Sequence, residues 1–511
     1  MTGPTEIRPA PVLMVQGTTS GAGKSLLTAA LCRILHRRGV AVAPFKAQNM
    51  SNNAAVTVEG GEIGRAQALQ ARAAGVEPQV RMNPILLKPL ADTRSEVVVL
   101  GKGRSELSAL PWRERRHLLW PPVVESLASL RRDFQVVVVE GAGSPAEINL
   151  RESDIVNMAV ARHTDAAVLL VTDIDRGGAF ATLFGTWALL DDEDRRTIRG
   201  FILNRFRGDA SLLEPAPRLL EERTGVPTVG VVPWMRHLLP EEDGGPRLEW
   251  SRSPDSWRIG VLRFPHLANA DDLDPLRAEP EVEVVWVSEL SDLFGLDAVL
   301  LPGSRNTLGD LAWLHRTGLG HGLKGLHQAG TPLVGICAGY QMMGRAIRDP
   351  EGLEEGGVLP GLDILPLDTT LAREKDTRLT RGRVGPGAHL FAELMGEEVA
   401  GYEIHHGRTR ILEESGKTHP SASTGVVPWL VDGGRALGHA SGSTWGGYLH
   451  GVMENPGLRN AWLTSLGIRP AEESSGPWQH RVDRELDRVA DGVQAGLQMD
   501  RILSWVGLEG C

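Results

Sequence analysis

Two residue groups in this chain have the types and spacing needed for chemistry, and they lie more than half the chain apart. GTTSGAGKS, Gly17 to Ser25, has the composition of a loop that cradles phosphate, and GICAGYQ, Gly335 to Gln341, has that of a nucleophile elbow. In the first, the backbone around Gly17, Thr18, Thr19, Gly21 and Gly23 would surround phosphate oxygens. The Lys24 ammonium would reach the β- and γ-phosphates of ATP and the Ser25 hydroxyl would ligate Mg²⁺. The usual spacing is GxxxxGK[ST], and here Thr18 stands where its first glycine belongs, with Gly17 one residue earlier.

Three strand-end residues extend this reading. Glu140 closes VVVVE and would reach the same metal ion or serve as an acidic helix cap; Asp173, with Asp175 in VTDIDRGG, would hold metal or orient substrate, or serve an ordinary turn. Asn204, closing FILN, has the chemistry to bond the amide edge of a base or to cap its strand.

In PLVGICAGYQMM an apolar run enters GxCxG and then a helical pattern, with Gly335 and Gly339 permitting a sharp turn at Cys337. A helix start favours the thiolate, and the amides of Ala338 and of Gly303 in LPGSRNT would stabilise an oxyanion on the attacked carbonyl. A thiolate nucleophile needs an acid/base partner. His450 in GGYLHGV is the first candidate among the 15 histidines, with His405 and His406 in GYEIHHGRT as competitors.

These residues need rigid elements to place them. Val12 to Val15, Val136 to Val139, Ala166 to Val171 and Phe201 to Leu203 are short apolar runs leading into Gly, Asp, Glu or Asn, the pattern of buried parallel strands. Leu27, Ala30, Leu31, Ile34 and Leu35 form one apolar stripe of an intervening helix. A second series is expected at 258–262, 282–287, 298–301 and 333–336, with a loop or hairpin across 372–387. Val482, Leu486, Val489, Val493 and Leu497 mark a terminal helix. Charge, Pro and Gly without period at 236–257 read as a linker. The expected organisation is α/β throughout: a first domain at 1–235, the linker, and a second domain at 258–511 that includes the last helix.

A chain of 511 residues exceeds one ordinary core, and 41% apolar with 23% charged residues describes a soluble globular protein. The N-terminus has no apolar stretch of signal-peptide type, so a cytoplasmic place is expected, without membrane contact. Cys32, Cys337 and Cys511 are too far apart for a local disulfide framework or zinc cluster. A formal charge of -10 argues against nucleic acid as a partner.

The strings around the two loops resemble the cobyric acid synthase family, over nearly the whole chain. They are PFKAQNMSNN at Pro44 to Asn53, MNPILLKP at Met82 to Pro89, EGAGSPAEINL at Glu140 to Leu150, DIVNM at Asp154 to Met158 and DIDRGGAFA at Asp173 to Ala181. The phosphate loop also resembles the longer GTxTxxGK[ST] loop of dethiobiotin-synthetase-like enzymes. FKAQNMSNN and EGAGSPAEINL favour this family over the related a,c-diamide synthases.

The resemblance implies an N-terminal P-loop parallel sheet and a C-terminal class I glutamine amidotransferase domain of flavodoxin-like fold. It implies glutamine- and ATP-dependent amidation of the b, d, e and g carboxylates of adenosylcobyrinic acid a,c-diamide, with Cys337 as glutaminase nucleophile and His450 as its base. Many class I amidotransferases carry Glu two residues after that histidine; here the position is Val452, the family branch resembles a Cys/His dyad, and nearby Glu454 is not assigned the role. Lys46, Lys88 and Arg94 stand in or near family-like strings as corrinoid contacts or as solvated charges. Other readings are amidation of a different acid, a partition-type ATPase, for which Thr19 replaces the expected Lys, and a noncatalytic binding protein.

Overall fold

Apolar runs buried on both faces form the first sheet. The computed structural model describes residues 9–91, 94–240, 256–386, 389–412, 425–472 and 475–510; the side chain of Arg94 and most of the 236–257 linker lie outside the described residues. Two compact units divide the chain, one formed by Met1–Gly245 with Val482–Cys511, the other by Pro246–Arg481.

In the first unit the chain runs through β1 (Val12–Gly17), α1 (Lys24–Arg37), β2 (Val42–Phe45), α2 (Arg65–Ala73), α3 (Trp112–Asp133), β3 (Val136–Glu140), β4 (Ala167–Asp173), β5 (Ile198–Phe206) and β6 (Thr228–Pro233). The strands pair in the order β6-β5-β4-β1-β3-β2, all parallel. Every residue of β1, β3 and β4 is buried, as expected for strands covered on both faces. Because the strands are parallel and in register at Val15↔Glu140, Gly17↔Val171 and Asp173↔Asn204, their C-terminal ends share one edge. That edge is where open α/β sheets bind ligands. A smaller sheet of Gln48–Met50, Ile85–Ala91, Arg94–Val99 and Lys102–Gly103 carries parts of the family-like strings.

The second unit continues with β7 (Trp257–Leu262), β8 (Val282–Val287), β9 (Ala298–Leu301), β10 (Leu333–Ile336), α4 (Ala338–Met342), β11 (Ala346–Asp349), β12 (Gly357–Pro360), β13 (Leu367–Val384), β14 (Glu398–Ile411), β15 (Val427–Asp432), β16 (Arg435–Ser441) and β17 (Thr444–Gly447). The order is β8-β7-β9-β10-β17-β16-β15-β13-β11-β12, with β14 paired to β13. The five strands from β8 to β17 are parallel and β17 turns antiparallel onto β16. The expected loop or hairpin at 372–387 falls largely in β13, one arm of the long β13–β14 hairpin.

The terminal helix α5 (Trp478–Ala495) forms as its stripe predicts, with Leu486, Val489 and Val493 buried. Its domain differs from the expectation. From Val482 onward it belongs to the first unit: Asp487 pairs with Arg33 of α1 at 2.8 Å, Asp483 with Arg72 of α2 at 2.7 Å, and Gly496 accepts from the Val231 amide of β6 at 2.9 Å. An amphipathic stripe states that a face is covered, but not by which part of the chain.

Candidate active site

The phosphate loop opens on β1 and closes on α1, whose cap residue Gly23 takes φ +95°. A side chain there would be strained, and its Cβ would fall 2.1 Å from Asn204 Nδ2. Thr18 is not among the residues with positive φ, so the departure from the usual pattern needs no glycine; its hydroxyl bonds to Thr172 at 3.1 Å. Lys24 curls back over the loop, donating to the carbonyls of Thr19 at 3.1 Å and Gly143 at 3.2 Å. Asn204 donates to the Ala22 carbonyl at 2.9 Å, which uses its amide group to hold the loop.

Glu140 is fully buried at the end of β3 and collects several donors. Ser25 Oγ donates to it at 2.8 Å, Lys46 Nζ at 2.9 Å and Gln70 Nε2 at 2.5 Å. The adjacent hydroxyl and carboxylate oxygens of Ser25 and Glu140 fit a hard cation such as Mg²⁺. Asp173 stands at the end of β4 with its carboxylate taken up by Arg205 at 2.9 Å and Arg176 at 3.3 Å. Asp173 carries two guanidiniums where Glu140 carries one ammonium, and Glu140 also lies against the Ser25 hydroxyl of the phosphate loop, so Ser25 with Glu140 is the better-fitting pair. Asp175 pairs with Arg207. Cys32, buried in α1, has its thiol pushed well up by burial and by the Glu140 charge, so it is a packing cysteine.

The sequence expectation for corrinoid contacts changes here. Lys46 and Lys88 are both buried, Lys46 against Glu140 and Lys88 against Glu62. Neither is a solvated charge. A cavity of about 530 Å³ in the same unit is lined by Arg113, Arg116, His117, Trp120, Asn149 and Ser153, among others. None of these six drew attention in the sequence, although Asn149 belongs to EGAGSPAEINL.

In the second unit Cys337 sits between β10 and α4 at φ 52°, ψ -107°, a backbone that non-glycine residues rarely adopt. Gly339 allows the elbow to close: a Cβ there would lie 2.0 Å from the Leu301 carbonyl oxygen. The Gly339 amide instead donates to the Pro302 carbonyl at 3.1 Å, which ties the elbow to the loop carrying Gly303. Gly303 borders the imidazole of His450, since its Cβ position would be 3.1 Å from Cε1. Cys337, Ala338, Gly303 and His450 therefore assemble around one site.

His450 follows β17 and is held by a backbone exchange with Tyr402 of β14, 2.9 and 3.2 Å, and by the stacked Tyr402 ring. Burial opposes a charge on His450, but the Asp272 carboxylate, the Cys337 sulfur and hydrogen bonds to both push its pKa up to about 10. The competing histidines are committed elsewhere. His405 bonds to Glu403 and the Gly407 carbonyl at 3.0 Å each, and His406 to the Ala372 carbonyl at 2.9 Å. Asp272, absent from the sequence reading, bonds to His450 Nδ1 at 2.7 Å. Its signal was only an acidic turn, NADDLD, a long way off in the chain.

Sheet and site together define a class: a P-loop nucleotide-binding unit joined to a glutamine amidotransferase unit. Residues 13–244 match the CobQ/CobB/MinD/ParA nucleotide binding domain, and 258–458 match the CobB/CobQ-like glutamine amidotransferase domain. A cobyric acid synthase of Deinococcus radiodurans is 51% identical over 96% of this chain and 99% of its own. Those of Moorella thermoacetica and Desulfitobacterium hafniense are 45% and 44% identical, over 98% and 97% of this chain and 98% of theirs. The chain belongs to the cobyric acid synthase family.

Proposed function

We propose that the protein amidates the b, d, e and g carboxylates of adenosylcobyrinic acid a,c-diamide, taking nitrogen from glutamine and one ATP per amide. The observation that carries this reading is the presence in one chain of two separate built sites, Lys24–Ser25–Glu140 and Cys337–His450. A carboxylate is a poor electrophile, so it must be activated. Transfer of the γ-phosphoryl group to a corrinoid carboxylate would give an acyl phosphate that ammonia displaces.

Lys24 would exchange its two carbonyl contacts for β- and γ-phosphate oxygens. Ser25 and Glu140 would hold Mg²⁺, which supplies charge neutralisation on the phosphates when bound. Cys337 would attack the glutamine carboxamide, with the Ala338 and Gly303 amides facing the oxyanion. The proton on His450 would leave with the amide nitrogen as ammonia, and water would hydrolyse the glutamyl thioester. Arg113 and Arg116 at their cavity offer the cations that a polycarboxylate needs, with His117 beside them.

The test is incubation with glutamine, MgATP and the corrinoid diamide, following product mass and glutamate. Amidated corrinoid and glutamate are expected together; amidation of a different acid in place of the corrinoid would overturn the substrate.

A further inference from the structure

We infer that Asp272 completes the Cys337–His450 pair as its positioning carboxylate, taking the place of the glutamate that stands two residues after the histidine in many class I amidotransferases. This rests on the glutaminase reading of that pair. The usual position holds Val452, a buried apolar residue, and the nearby Glu454 accepts from Gln479. Neither supplies an acid to the imidazole. Asp272 does, from the turn Ala270–Leu273 that follows β7, on the opposite side of the domain sequence.

Both oxygens of Asp272 are used at His450. Oδ2 contacts Nδ1 at 2.7 Å and Oδ1 accepts the Gly451 amide at 2.7 Å, with Asp272 and His450 each buried. The two bonds fix the imidazole to the backbone beside it, so ring and chain cannot turn independently. An ionised carboxylate accepts only, so Nδ1 carries a proton and Nε2 is the nitrogen left to exchange one with Cys337. The turn itself is shaped for this. Asn269 takes φ 53° and its carbonyl accepts the Asp272 amide at 3.1 Å, which aims the carboxylate inward.

Among the described residues, the titratable groups against His450 are Asp272 from this turn, Cys337 from the elbow and Tyr402 from β14. In the proposed cycle the Cys337 thiol first passes its proton to Nε2, while Asp272 stays bonded to Nδ1. The thiolate forms the C–S bond, the amide nitrogen leaves with the Nε2 proton as ammonia, and neutral His450 then takes a proton from the hydrolytic water. The thioester's sulfur departs as thiolate and the original charges are restored.

The experiment compares wild type, Asp272→Asn and Asp272→Glu in the full chain. Glutamate release, ammonia-dependent amidation and the pH profile of Cys337 alkylation by iodoacetamide, read on its own peptide, are measured. Asp272→Asn should lower kcat for glutamine hydrolysis about 100-fold or more, change KM by less than about threefold, and retain ammonia-dependent amidation. Loss of the negative charge makes the imidazolium less stable and the thiolate loses its counter-charge, so alkylation should move up by about one pH unit. Asp272→Glu should recover part of kcat and of the profile. An unchanged kcat or an unmoved alkylation profile in Asp272→Asn overturns the inference, as does loss of ammonia-dependent amidation along with glutaminase. Cys337→Ala retaining glutamate release would instead overturn the glutaminase reading beneath it.

Discussion

Cys337 and Cys32 are the same residue type, both buried, and only one has the surroundings of a nucleophile. Cys32 lies inside α1, where burial and Glu140 hold its thiol protonated, whereas Cys337 stands on a strained elbow with His450 beside it. Removing the sulfur therefore has a separable effect. Cys337→Ala should abolish glutamate release yet keep amidation at high ammonia, measured as corrinoid product, because Lys24, Ser25 and Glu140 lie in the other unit. Loss of amidation with ammonia would count against independent sites. Cys337 and the phosphate loop were legible because each motif is contiguous, with its chemistry and its glycines in a single string. Asp272 was not, because its partner is 178 residues away and contact is made by folding alone. Lys46 and Lys88 could not be told from solvated charges for a related reason: sequence gives a charge but not its counter-ion, and both are answered by buried glutamates.

At the scale of elements, parallel strands explain why distant residues meet. β1, β3, β4 and β5 end on one edge, so Gly17, Glu140, Asp173 and Asn204 converge without any local signal beyond an apolar run and a polar terminus. The runs at 298–301 and 333–336 match β9 and β10, because strands buried on both faces are nearly all apolar, while the run at 282–287 forms the half-buried edge strand β8. The β13–β14 hairpin was harder to read, being rich in Arg, Thr and Gly. Its middle is held by charge. Glu403 is buried and accepts from Arg435 at 2.7 Å, Thr380 at 2.7 Å and Arg378 at 3.1 Å, with His405 at 3.0 Å. Burial works to raise its pKa, but these hydrogen bonds and the Arg435 charge hold the carboxyl well below the usual range. A depressed folded pKa gives stability that is present above about pH 4.5 and is lost as pH falls through the folded value. Glu403→Gln should cost about 2 kcal/mol near neutrality, less than a fully buried pair because Arg435 and Arg378 keep some water contact. Its urea midpoint should fall less steeply with acid than that of wild type; equal acid sensitivity would show that Glu403 is not the group responsible.

Across the whole molecule, the chain returns at its end to where it began. The last residues, from Val482, pack with the unit built from the first 245, while the unit between carries the cysteine elbow. The helix was legible from its stripe, but its partners, Arg33, Arg72 and β6, were not, since nothing in a periodic pattern names its cover. Val489→Asp, which places a charge at a fully buried point of α5, should destabilise the first unit by about 3 kcal/mol or more. Limited proteolysis should then cut first within 9–240, with glutamate release preserved; early cleavage confined to 256–472 would contradict the assignment. The proposed function requires one chain both to free ammonia from glutamine and to fix it on a corrinoid carboxylate. Its most direct test uses glutamine labelled with ¹⁵N in the side-chain amide, MgATP and the corrinoid diamide, with product read by mass spectrometry. The label should appear in the new corrinoid amides in step with glutamate formed and ATP consumed; glutamate released with the corrinoid left as its acid would contradict the account.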